Sequence, residues 1–310
     1  MAYMRRIFIA IASGFVIVLM LYIGVCWLIL SVLITPERKR GPIPTANELG
    51  VAEIRSMYFK SAEDEIRLRG WLVPTQGNRA IVLVHGLHSY AWDCQTPDIV
   101  QAYAAADFSV FLFDLRGHGD SGGNSVGLGL LESGDVRAAV DLLLEQGFHS
   151  GRIGIHGASY GAATALLAAE QIEEVGAVIA DSAFADMRDV IGGELERQTG
   201  LPAVFSQILT PGLRMLGLRL YSLDIYLANP EHSISRISAR PILLIHGAKD
   251  SVIPYDHARR LKAAAGPKTK LWTLPGGHTE GVRLAQECEK ASPSRDAFLT
   301  KVTRFFDANL

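Results

Sequence analysis

Three residues of this chain have the types and the order that acyl transfer requires: Ser159, Asp250 and His278. A serine hydroxyl attacks a carbonyl carbon only when a base takes its proton, and an imidazole serves as that base when a carboxylate holds its ring. Ser159 lies in Gly157-Ala158-Ser159-Tyr160-Gly161, after the apolar run Arg152–His156 and before the small-residue run Ala162–Leu167. A strand, a tight turn and a helix in that order raise a serine out of a sheet, and glycine on either side avoids collision with neighbouring backbone. Asp250 stands in the loop His246–Pro254, just past the apolar run Ile242–Ile245. His278 stands in the Gly-rich stretch Pro275–Glu280, just past Leu271–Leu274. His85, His156 and His246 also end apolar runs, but only His278 follows both the serine and the carboxylate in a Gly-rich loop. Glu280 and Asp256 are the nearest rival acids, and Asp256 reads as the cap of the helix that follows it.

Acyl transfer also needs donors for the developing oxyanion. Val84-His85-Gly86-Leu87-His88 follows an apolar run, and glycine lets the backbone turn there. The backbone amide of Leu87 is one expected donor, and that of Tyr160, after the serine and at a helix N-terminus, is the other.

These groups need a frame. Val51–Phe59 and Ile66–Val73 alternate apolar and polar residues around Ser61–Glu65, which predicts an antiparallel hairpin. Six short continuous apolar runs follow, at Ala80–Val84, Val110–Phe113, Ile153–Ile155, Ala177–Ala180, Ile242–Ile245 and Leu271–Leu274. Such runs suit strands buried on both faces of a parallel sheet. Helices are expected between them, at about Pro97–Ala105, Glu132–Gln146, Gly161–Glu170, Tyr255–Ala265 and Arg295–Ala308. The alternation predicts a mostly parallel, doubly wound sheet of eight strands with helices on both faces, and reactive groups at the carboxyl ends of its strands. About fifty residues from Phe184 to Ser238 interrupt it as a helical cap insertion, in which Val204–Tyr221 is apolar enough to cover a site or only to pack.

The first forty residues are of another kind. No charge occurs from Ile7 to Ile34, a run long enough to cross the roughly 30 Å hydrocarbon core of a bilayer. It is too long for the apolar region of a cleaved signal peptide, and so reads as an uncleaved transmembrane anchor over residues 1–40. Arg5 and Arg6 flank one side and Arg38, Lys39 and Arg40 the other, so charge bias favours neither orientation. Residues 41–50, with Pro42 and Pro44, read as a linker to a folded domain over 51–310.

Composition narrows the function. With 49% hydrophobic residues in 310 the chain can bury a large core, and a formal net charge of −2 without a long basic run argues against nucleic acid as a partner. The three cysteines, Cys26, Cys94 and Cys288, have no metal-ligand spacing; Cys94 and Cys288 fit either a disulfide or two free thiols. No metal or cofactor is expected.

With these residues in hand, the chain resembles the α/β-hydrolase superfamily over nearly all of residues 50–310. The resemblance is carried by Val84-His85-Gly86, Asp114-Leu115-Arg116-Gly117-His118-Gly119-Asp120-Ser121, Gly157–Gly161, Gly247–Asp250 with Val252-Ile253-Pro254, and Gly277-His278. The Asp114–Ser121 stretch looks like that of the serine-aminopeptidase-like and monoglyceride-lipase-like branch, where it is structural rather than catalytic. A membrane anchor ahead of such a domain is similar to tethered hydrolases of lipids or acyl-proteins. The resemblance implies a serine esterase, lipase or thioesterase with a small-molecule or lipid-like acyl substrate, held at a membrane. Two other readings stand beside it: a peptidase that clips N-terminal residues, whose amine would be gripped by Glu194, Glu196 or Asp224, and a non-catalytic membrane-tethered binding module.

Overall fold

The computed structural model describes residues 2–200, 202–237, 240–284 and 287–310. The open question of a Cys94–Cys288 pairing falls outside them, because the Cys288 side chain is not described. The chain forms two compact units, one of Pro36–Asp186 with Ala228–Leu310 and one of Met1–Thr35 with Met187–Leu227.

The larger unit holds the sheet. Its strands are β1 (Arg55–Lys60), β2 (Arg67–Val73), β3 (Arg79–Val84), β4 (Phe108–Asp114), β5 (Ile153–Ala158), β6 (Val175–Asp181), β7 (Ile242–Gly247) and β8 (Thr269–Leu274), in the order β1-β2-β4-β3-β5-β6-β7-β8. β1 with β2 and β2 with β4 are antiparallel, and every later pairing is parallel. This is the eight-stranded α/β-hydrolase sheet expected above. Side chains alternate along each strand: Ile81 and Leu83 of β3 join the core cluster that includes Tyr103, Phe298 and Phe306, while Ala80 and Val82 are also fully buried. Burial of both faces explains why these strands read as unbroken apolar runs rather than as alternating ones.

In chain order the helices are α1 (Ala2–Ile34), α2 (Ala46–Leu49), α3 (Thr96–Ala105), α4 (Leu130–Glu145), α5 (Tyr160–Gln171), α6 (Met187–Thr199), α7 (Ser206–Tyr221), α8 (Pro230–Arg236), α9 (Asp256–Ala264) and α10 (Arg295–Asp307). α2 falls in the stretch expected to be a plain linker. It closes because Thr45 and Glu48 form a reciprocal capping box and Gly50 ends the turn with a left-handed φ of 64°. A small hairpin, β9 (Arg283–Leu284) and β10 (Glu287–Ala291), is likewise unanticipated, since strands this short carry no readable period.

The smaller unit contains α1, α6 and α7. α1 is long and apolar enough to cross a membrane, with a mean hydropathy of 2.8. Its packing on α7 has a specific chemical basis. Pro211 lies inside α7 and perturbs its hydrogen-bond ladder, and Tyr22 of α1 inserts its hydroxyl there. Gly212 N–H donates to the Tyr22 hydroxyl at 3.0 Å, and that hydroxyl donates to Ile208 O at 2.7 Å. A Cβ on Gly212 would lie 2.6 Å from Cys26 Sγ, so glycine permits the close approach.

Candidate active site

The order in which strands are added to the sheet reverses between the parallel neighbours β3 and β5, and their carboxyl-end loops form the crevice where a doubly wound sheet places its ligands. The Val84↔Gly157 pairing sets Gly86 next to Ser159: a Cβ on Gly86 would be 3.4 Å from the Ser159 Cβ. Ser159 itself has φ 55° and ψ −119°, a region costly for any side chain by roughly 1–3 kcal/mol. Tight surroundings maintain it. A Cβ on Gly157 would lie 2.2 Å from Gly161 O, and one on Gly161 would lie 2.2 Å from Val84 O. The Ser159 N–H is spent on Asp181 O at 2.7 Å.

Three loops converge on this serine. His278 Nε2 is 2.7 Å from Ser159 Oγ, and His278 Nδ1 is 2.7 Å from Asp250 Oδ2. Asp250 Oδ1 accepts from Val252 N at 2.9 Å and Ile253 N at 2.8 Å. Burial works to raise the Asp250 pKa, but the His278 hydrogen bond and charge, with the Ile253 amide, hold it below the usual carboxylate value. Asp250 is therefore an anion at neutral pH, and His278 takes the tautomer with Nδ1–H, leaving Nε2 to accept the serine proton. The His278 loop is pinned by Gly277 N–H donating to Glu280 at 2.7 Å and Thr279 N–H to Ser182 Oγ at 3.2 Å. Glu280 thus acts on the loop rather than on a substrate.

The other strand-end histidines have structural partners. His246 donates from Nε2 to Ile253 O at 2.8 Å, bracing the Asp250 loop. His156 bonds Tyr103 inside the core, where burial lowers its pKa to about 3. His85 has more bearing on the site. Its Nε2 accepts from Leu115 N at 3.0 Å, so the proton sits on Nδ1, which donates to Gly86 O at 2.8 Å. Burial depresses its pKa and keeps the ring neutral. Gly86 O and Leu87 N–H belong to one planar peptide, so a hand on the carbonyl aims the amide. The Tyr160 amide is at the first position of α5, where no acceptor exists within the helix. The Tyr160 hydroxyl accepts from Gly129 N at 2.7 Å and bonds buried Glu132, fixing the start of the helix.

Replacing His85 by Leu frees the Gly86–Leu87 peptide to rotate. Hydrolysis is expected to fall roughly 10- to 100-fold in kcat with KM little changed, less than outright loss of an oxyanion donor. A raised KM with unchanged kcat would instead show that the ring acts only in binding.

One carboxylate was not singled out by the sequence. Asp181 ends β6 beside Ala158, is 4% exposed, and burial pushes its pKa up to about 6 against the help of the Ser182 hydroxyl and the His278 charge. Its unfolded value is about 3.9. A raised folded pKa favours the protonated native state, so this stabilisation is complete below about pH 4 and is lost as pH rises through about 6. Asp181→Asn is expected to gain up to about 3 kcal/mol in unfolding free energy at pH 8, with no difference at pH 4. Chemical unfolding at both pH values checks this, and a variant less stable at pH 8 refutes it.

The remaining acids settle in other places. Asp256 is not the cap expected for its helix: it is the first residue inside α9, after Tyr255, and its carboxylate pairs with Arg259 at 3.5 Å. The Pro254-Tyr255 turn already leads the backbone into the helix, so no side-chain cap is used there. In the smaller unit, Asp224 takes both arms of Arg214 at 2.9 and 2.8 Å, and Glu194 pairs with Arg197 at 2.5 Å. Glu196 is exposed.

The model of the alpha/beta hydrolase family matches residues 81–287. The Escherichia coli K12 protein YfhR is 30% identical over 224 residues, covering 70% of each chain. The Saccharomyces cerevisiae membrane protein YNL320W is 26% identical over 227 residues, 71% of this chain and 72% of its own. Among solved structures, the Pyrococcus furiosus esterase Pf2001 superposes with a TM-score of 0.70 at 21% identity, covering 89% of this chain and 98% of the esterase.

Proposed function

Because this chain belongs to the alpha/beta hydrolase family, we propose that it is a membrane-anchored serine hydrolase of carboxylic ester or thioester bonds in lipid-like or acylated substrates. Ser159 Oγ forms a bond to the acyl carbon while its proton passes to His278 Nε2. Asp250 orients the ring and stabilises the imidazolium, and the Leu87 and Tyr160 amides hold the oxyanion. His278 then gives the proton to the leaving alcohol or thiol as that bond breaks. Water, deprotonated by His278, releases the acyl group from Ser159.

The observation that most supports this reading is the unbroken Asp250–His278–Ser159 relay, 2.7 Å at each step, at the mouth of the β3–β5 crevice. The peptidase reading is weakened because Asp224 and Glu194 already have arginine partners. The charge-free run Ile7–Ile34 supplies the anchor, and with it the preference for lipid-like substrates. Purified full-length protein is expected to hydrolyse p-nitrophenyl acyl esters at a kcat/KM at least roughly 100-fold above that for aminoacyl-nitroanilides. The reverse order would make it a peptidase, and inertness towards both would favour the binding module.

A further inference from the structure

The smaller unit contains a cleft of about 560 Å³ that no step of the proposed chemistry uses. Its walls include Val25, Leu28 and Val32 of α1, Ile191 and Leu195 of α6, and Ile208 of α7. That volume falls within the roughly 300–1,000 Å³ of small-ligand sites, and an apolar lining recognises hydrocarbon. Glu194 and Thr199 are the polar residues in its walls, and Glu194 is already paired with Arg197, so the cleft presents no unbalanced charge to a ligand.

The position of the cleft along α1 identifies the occupant. Its α1 residues lie between Val25 and Leu33, within the last three turns of the charge-free run that ends at Ile34. If α1 spans a bilayer, those turns lie in the leaflet that borders residues 35–40. Phe205, Met215 and Leu218 of the cap stretch are also exposed, so the apolar surface of the span continues onto it. The Tyr22 hydroxyl, set into the α7 backbone, holds the two helices as one wall. With α1 in the bilayer, lipid tails border the α1 wall of the cleft, and the molecule at hand to fill it is a membrane lipid.

We propose that the cleft between α1, α6 and α7 binds one acyl chain of a bilayer phospholipid. This rests on the reading of α1 as a membrane span. The cap is then partly a membrane element, built on the anchor rather than merely carried by it.

Full-length protein in phosphatidylcholine vesicles containing a phospholipid with a diazirine in its acyl chain provides the test. After irradiation, cross-linked peptides are mapped by mass spectrometry. Labelling is expected on the α6 segment around Ile191–Leu195 as well as on the outward face of α1 at Phe8 and Phe15. Leu28→Trp, which fills the cleft from the span itself, is expected to cut α6 labelling at least roughly fivefold while leaving Phe8 and Phe15 labelling unchanged. Leu195→Trp fills it from the opposite wall and should act alike. Labelling confined to the face of α1, α6 labelling that survives both substitutions, or labelling of α6 only by a free photoactivatable fatty acid overturns the proposal while leaving the anchor intact. Absence of label throughout α1, with the protein washed off the vesicles by alkaline carbonate, overturns both.

Discussion

Ser159→Ala is expected to abolish labelling by a fluorophosphonate probe and to lower kcat for acyl esters by roughly 10⁴-fold or more. The magnitude follows from what the substitution leaves behind. The Leu87 and Tyr160 amides and the crevice remain, so some rate above that in water survives, but no covalent acyl-enzyme can form. His278→Asn should cost about as much, because a serine without a base is almost as inert as no serine. Asp250→Asn should cost roughly 10⁴-fold through the wrong imidazole tautomer, and the three losses should be far from additive. Alanine fits the Ser159 backbone no worse than serine, and among the described residues the Ser159 hydroxyl bonds only His278. Unfolding midpoints should therefore stay close to the parent's. Equal probe labelling of the parent and of Ser159→Ala would refute the assignment of the nucleophile.

Arg116→Ala is expected to cost about 3–5 kcal/mol of unfolding free energy. Arg116 is 1% exposed and ties three parts of the larger unit together. Its guanidinium donates to Asp135 of α4 at 2.7 Å, to Asp64 at 2.6 Å and to Ser61 at 2.7 Å, the last two in the β1–β2 turn. Its own N–H also reaches Asp135 at 3.1 Å. Truncation would leave Asp135, itself fully buried, as an anion with no cation beside it. Burial raises the Asp135 pKa against the pull of Arg116, so without the arginine this carboxyl should take up a proton more readily. Arg116→Met with Asp135→Leu removes both charges together and should recover most of the loss, since buried ion pairs are often replaceable by apolar groups of similar size. Urea unfolding of the two variants decides the matter, and a loss below about 1 kcal/mol for Arg116→Ala would show that water already screens the network.

Much of the fold was legible because parallel strands buried on both faces leave continuous apolar runs, and each such run proved to be a strand of the eight-stranded sheet. Helix limits fell within a residue or two of the periodic pattern. The features that escaped are those whose signal is short or distant. β9 and β10 are too brief to show a period, and the α2 turn depends on one Thr45–Glu48 exchange. Asp256 looked like a cap because Asp commonly is one, but a one-residue shift placed it inside the helix.

Residue types and chain order are local properties, and from them the sequence by itself determined the strand-turn-helix around Ser159, the later carboxylate and imidazole, and a charge-free run long enough for a bilayer. Tertiary structure decided what each group does with its neighbours. His85, His246 and His278 all follow apolar runs, yet one aims a peptide, one braces a loop and one reaches the serine. Asp181 owes its raised pKa to burial by strands remote in sequence, and Tyr22 reaches into the α7 backbone across 190 residues. No local period encodes such pairings, because hydrogen bonds and desolvation depend on distance in space, which only the folded chain sets.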